Sequence, residues 1–102
     1  MHVTISTIKG DPDDLLRRYN ALIGEVPLPD SGVHLCLRGE DGIVVVDTCP
    51  SKEAHDAFYA EGGPFDTMFA KVGLPRPATL EDYPVHAAVA DGKPLLLAAL
   101  PA

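Results

Sequence analysis

Basic side chains are scarce: eight Lys and Arg stand against fifteen Asp and Glu in 102 residues, a formal net charge of −7. Recognition of nucleic acid or of an anionic membrane surface rests on clustered Lys and Arg, and no basic run occurs, so neither partner is expected. Cysteine is scarcer still. Cys36 and Cys49 are too few and too widely spaced for a disulfide scaffold or a four-ligand zinc site, and both are expected as reduced thiols buried like small hydrophobes. No apolar run is long enough to cross a bilayer and no charged leader precedes the strand-like segment at His2, so a cytoplasmic location is expected. Gly-rich phosphate loops, a nucleophile elbow and Cys-x-x-Cys are all missing, which leaves nucleotide cofactors, triad hydrolysis and dithiol exchange without a warrant. None of the four histidines pairs with another as H-x-H, H-x-x-x-H or H-E-x-x-H, so neither a metal nor any other cofactor is expected.

What remains is an ordinary globular mixture, 46% hydrophobic and 23% charged, in a length that suits one core. His2 to Ile8 alternates Val3, Ile5 and Thr7 against Thr4 and Ser6, the period of a strand. Asp11 as N-cap, Pro12 at the first helical position and the acidic pair Asp13 and Asp14 predict a helix start. Leu15, Leu16, Tyr19, Leu22 and Ile23 then form one apolar stripe, ended by Gly24 or by the stretch from Pro27 to Pro29.

Gly32 to Arg38 and Gly42 to Cys49 read as two strands, and Asp41-Gly42 between them is a tight-turn signature. With those two residues as the loop, Cys36 faces Asp47, His34 faces Cys49 and Arg38 faces Val45. One face of the hairpin then carries His34, Cys36, Arg38, Asp47 and Cys49, and the other Val33, Leu35, Leu37, Val44 and Val46. Ser51 caps a second helix, broken at Gly62, Gly63 and Pro64 and resumed through Phe65, Met68, Phe69 and Val72. Thr79 to Val89 follows as a fourth strand, with Pro84 marking an edge or a bulge. The apolar close, Lys93 to Ala102, can be turned back by Asp91-Gly92 and is expected to pack on its own or a partner chain. Residues 1–90 are thus expected as the domain and 91–102 as its extension.

The order of elements predicts an α+β, ferredoxin-like βαββαβ fold: an antiparallel four-stranded sheet with helices on one face. The uncovered face is too apolar to leave wet, which argues for a homodimer.

Three stretches carry a family resemblance: GIVVVDTCPSKEAHDAF from Gly42, the VGLPRP that closes the second helical region, and YPVHAAV in the last strand. Together they resemble small actinobacterial members of the dimeric α/β-barrel superfamily, relatives of the antibiotic-biosynthesis monooxygenases. The resemblance implies a cleft between each sheet and its own helices, and cofactor-independent oxygenase or isomerase chemistry on a small aromatic or polyketide-like molecule. The chain departs from that family in having Cys49 where many relatives carry Trp, and no Trp at all. The haem-degrading branch uses an Asn, Trp and His set; the sole Asn here is Asn20, so that activity is not transferred.

On this reading His34, His86 and Asp47 are the candidate catalytic groups, with an imidazole as general base; His86 enters through the P-V-H resemblance. Cys36, Arg38, Cys49, His55 and Tyr83 are candidate ligand contacts. For Cys49 the helix that follows it and His34 offer a route to thiolate character, against the commoner inert buried thiol; His55 is mainly a packing residue, and Tyr83 offers a hydroxyl at the cleft mouth or an edge contact. The other reading is a non-catalytic dimeric module that binds a small apolar ligand or serves only as an interaction unit.

Overall fold

The computed structural model describes residues 1–25 and 32–101, and the expected helix-ending stretch Pro27 to Pro29 lies outside them. The β-branched alternation after Met1 forms β1 (His2–Lys9), with His2, Thr4, Ser6 and Ile8 buried on one side. Helix α1 (Pro12–Glu25) starts where its cap dictates: Asp11 Oδ2 accepts from Asp14 N at 3.0 Å and Asp11 O from Leu15 N. It buries Leu15 and Leu22 against the sheet, with Leu16 and Tyr19 alongside.

Strands β2 (His34–Arg38) and β3 (Gly42–Cys49) form the expected hairpin, but the reversal is Glu40-Asp41, closed by Gly39 N donating to Gly42 O at 2.9 Å. The register therefore differs by two residues from the expected one: His34 faces Asp47, Cys36 faces Val45 and Arg38 faces Ile43. The shift is even, so every side chain keeps its face while changing its partner. Gly42 belongs to the ladder because β1 lies over it; a Cβ there would sit 2.0 Å from Ile8 O.

Ser51 caps α2 (Lys52–Tyr59) by accepting from Ala54 N, and α3 (Pro64–Val72) ends at Gly73 in the left-handed region. Strand β4 (Thr79–Pro84) pairs with β1, completing an antiparallel sheet of order β2-β3-β1-β4. The topology is ferredoxin-like, with three helices on one face. It is not an α/β barrel: the sheet stops at two edges, β2 and β4, and among the described residues nothing closes it. Pro84 ends β4, so the expected single strand to Val89 is broken there. The chain continues as a separate hairpin of β5 (Ala87–Ala90) and β6 (Lys93–Leu97), turned by Asp91 and Gly92, both with positive φ.

The core between helices and sheet is Ile8, Leu15, Leu22, Ile43, Val45, Phe65, Phe69 and Leu74. It occupies only one end of the covered face. The uncovered face carries Leu35, Leu37, Val44, Val46, Val3, Ile5 and Tyr83, with Thr7, Thr48, Thr79 and two charged residues, Glu81 and, at the end of β1, Lys9. Among the described residues no helix is long and apolar enough to cross a membrane.

Candidate functional site

Cross-strand neighbours share a face, so the ladder registers define rows running across the sheet. On the helix-covered face the row through Ile43 and Ile8 is apolar up to Arg38 at its β2 edge, and two steps further along the strands the row becomes His34, Asp47, Thr4 and Asp82, one residue from each of four strands. His2 lies one row beyond, beside Cys49 and Pro84. Burying such groups without partners would cost several kcal/mol, and each here finds one.

At the β1/β4 side, the His2 Nε2–H donates to Asp82 Oδ1 at 2.6 Å, and His55 Nε2 lies 3.5 Å from Asp82 Oδ2. His55 is delivered by the inner face of α2; its Nδ1 is 2.6 Å from Thr4 Oγ1. Both histidines are buried, His2 at 5% and His55 at 4% exposure, whereas Asp82 is about a third exposed and opens the cluster to solvent. The hydrogen bond from His2, then the positive charge of Lys52, hold the Asp82 carboxyl below the usual range, so it is ionised. Lys52 Nζ lies 3.6 Å from Asp82 Oδ1 and 3.2 Å from Asp56 Oδ1 at the mouth.

At the β2 side, His34 Nδ1–H donates to Asp47 Oδ1 at 3.0 Å and His34 Nε2 accepts from the Tyr19 hydroxyl of α1. Tyr19 stays a neutral donor: burial, and then the nearby Cys36 and Asp47, push its pKa up. The Tyr59 hydroxyl of α2 sits beside both Asp47 and Thr4, and burial raises its pKa strongly. The two clusters are therefore the ends of one polar chain, Tyr19, His34, Asp47, Tyr59, Thr4, His55, Asp82 and His2, laid across the sheet beneath α1 and α2.

The sequence-predicted residues divide between this chain and the surface. His34 and Asp47 meet directly, and His55 lies in the buried cluster. His86 is exposed at the kink after β4, where its carbonyl accepts from Ala98 N. Arg38 pairs with Asp13 of α1 at 2.8 Å, and Tyr83 stands on the uncovered face donating to Glu81. Cys36 and Cys49 are half-buried; burial, reinforced at Cys49 by the Asp47 charge, pushes both thiols up. Cys49 is thus a thiol opposite His2, not an activated thiolate beside His34.

The expected aromatic-binding cleft between sheet and helices does not form at His34 and Asp47, because the Tyr19 and Tyr59 side chains occupy that space. A depression of about 210 Å³ lies at the opposite end of the strands, beside Thr7 to Lys9 and Gly39 to Val44. Sequence reasoning passed over His2, Thr4 and Asp82. The available signal was polarity at alternate positions of β1, where a two-sided sheet strand with a covered face would be expected to place aliphatic residues.

Fold and site together define a ferredoxin-like α+β domain with a buried two-histidine, one-carboxylate cluster at the polar end of its helix–sheet interface. Compared with protein-family models, curated proteins and solved structures, the chain matches none, so the resemblance to the barrel monooxygenases finds no support and their chemistry is not carried over.

Proposed function

We propose that this protein binds a divalent first-row transition-metal ion through His2, His55 and Asp82. One observation carries the reading: two buried imidazoles from different elements converge on the two oxygens of one ionised carboxylate, all three ligand atoms lying within 4.8 Å of one another. Bonds of ~2.0–2.1 Å in a tetrahedral site put ligand atoms ~3.3 Å apart. His55 Nε2 and Asp82 Oδ2 are already near that spacing, the shorter His2 contact must open as its proton leaves, and the two imidazole nitrogens start within 4.8 Å of each other. Thr4 supplies the outer contact such a site needs: with Nδ1–H of His55 donating to Thr4 Oγ1, the Nε2 lone pair is free to ligate. Imidazole and carboxylate donors suit zinc, iron, cobalt and nickel better than magnesium or calcium. Asp82 at the solvent edge leaves a further coordination position for water or a small ligand.

Untagged protein titrated with Zn2+ against a chromophoric chelator, and with Co2+ followed by its d–d absorption, tests this. One ion per chain is expected, with H55Q and D82A each weakening binding at least ~100-fold. Absence of stoichiometric binding by the wild type overturns the reading, as does undiminished affinity in folded D82A.

The protein is also proposed to be a homodimer residing in the cytoplasm. An uncovered sheet face with Leu35, Leu37 and Tyr83 each more than 40% exposed supports self-association, and two unpaired cysteines support a reducing compartment. Light scattering across a concentration series reads the first; a persistent monomer at tens of micromolar would exclude it.

A further inference from the structure

Resting on the homodimer reading, we propose that the β5–β6 hairpin is an exchange arm, each copy laying its hairpin and the following residues to Pro101 on the uncovered sheet face of the other. Among the described residues, two apolar surfaces lack a partner. The first is the sheet face just described. The second is the hairpin itself, whose strands, among the described residues, pair with each other and make no extensive contact with any helix or strand of the domain. It leaves the main sheet at Pro84, lengthening the molecule to 47 Å along its longest axis. Val89 is 65% exposed, Leu97 75% and Leu100 78%, with Leu95 also outside.

An isolated two-stranded hairpin is marginal in water, so an arm with this composition needs a surface to lie on. Area decides what that surface gains. Four strands ~4.8 Å apart and three side-chain rows make a flat footprint of about 400 Å², roughly half of the ~800 Å² per partner that a standard interface buries. Sheet against sheet alone falls short. Adding an arm of apolar residues to each side brings the contact into the range of a stable dimer. Charge points the same way: the molecule is strongly acidic, and copies of it can approach only through a surface nearly free of carboxylates. The sheet face bears one carboxylate, Glu81, offset by Lys9, and the arm offers Lys93 against its one acidic residue, Asp91.

The test uses the full chain with V89D/L97D, two outward positions whose replacement leaves the domain core untouched, and separately L35D on the sheet face. Wild type is expected to be dimeric and each variant monomeric, with the dimer dissociation constant raised ~100-fold or more. An equimolar mixture of the two variants should recover a dimer, since the intact arm of one copy can still reach the intact face of the other. Circular dichroism checks that each variant is folded, and V89S/L97S replaces the first pair if it is not. A dimeric V89D/L97D overturns the arm and leaves the dimer standing. A mixture that stays monomeric overturns exchange between copies, and a monomeric wild type overturns both readings.

Discussion

Thr4 is the residue on which the polar row turns. It is 1% exposed and stands between His55 Nδ1 and the Tyr59 hydroxyl, at the centre of a β-strand where an aliphatic side chain would pack as well. Replacing it with the near-isosteric Val leaves His55 with a buried nitrogen and no partner, a loss of about 1–3 kcal/mol in chemical denaturation. The same change frees the imidazole to rotate, so zinc affinity measured by chelator competition should fall roughly 10-fold although no ligand has been removed. Val at position 4 with unchanged affinity would mean that Thr4 does not orient His55. Such a residue is invisible to motif reading: Thr4 in a strand is what β-propensity alone predicts, and its partner His55 lies 51 positions away. Helical position suggested packing for His55, and its side chain is buried; that it meets Thr4 was not legible.

Among elements, α3 shows how one side chain can set a junction. Gly63 at its N-cap has no side chain to offer, and Asp66 in the first turn accepts instead from Gly62 N and from Arg76, which leads into β4. Donation from Gly62, then from Arg76, holds the Asp66 carboxyl below its usual range. A lowered folded-state pKa stabilises the fold above the unfolded value of about 3.9 and stops doing so as pH falls through the folded value. The melting temperature of D66N should therefore lie below wild type at pH 7, and the gap should close as pH is lowered towards 3; a gap that is constant with pH would refute the role. The β2–β3 junction is set by sterics. Gly42→Ala places a methyl group against Ile8 O and should cost more than ~2 kcal/mol by denaturant titration. This same contact explains why the reversal was misplaced from sequence. Asp-Gly is a good turn pair in isolation, but β1 needs Gly42 as a ladder residue, and the turn moves back to Glu40-Asp41. Helix starts at Asp11 and Ser51 depend on bonds spanning three residues and were readable for that reason.

At the scale of the molecule, a bound ion must show as stability. Zinc held at 100 times its dissociation constant contributes about 2.7 kcal/mol, which for a chain of this size raises the melting temperature by roughly 10–20 °C. Calorimetry should find that rise in wild type and not in D82A; equal rises in both would place the ion elsewhere. Periodicity, caps and turn residues were enough to order the strands and helices, and alternation was enough to sort the hairpin's side chains onto two faces, because those properties are local and survive an even slip of register. Whether the sheet closes, where β4 gives way to a separate hairpin, and which polar groups meet are properties of the packed chain. His2 and Asp82 stand 80 residues apart and become neighbours only because β4 pairs antiparallel beside β1. The sequence by itself determined the elements and their polarity; only tertiary structure decided the site, since its three ligands come from three different elements and no spacing along the chain encodes their convergence.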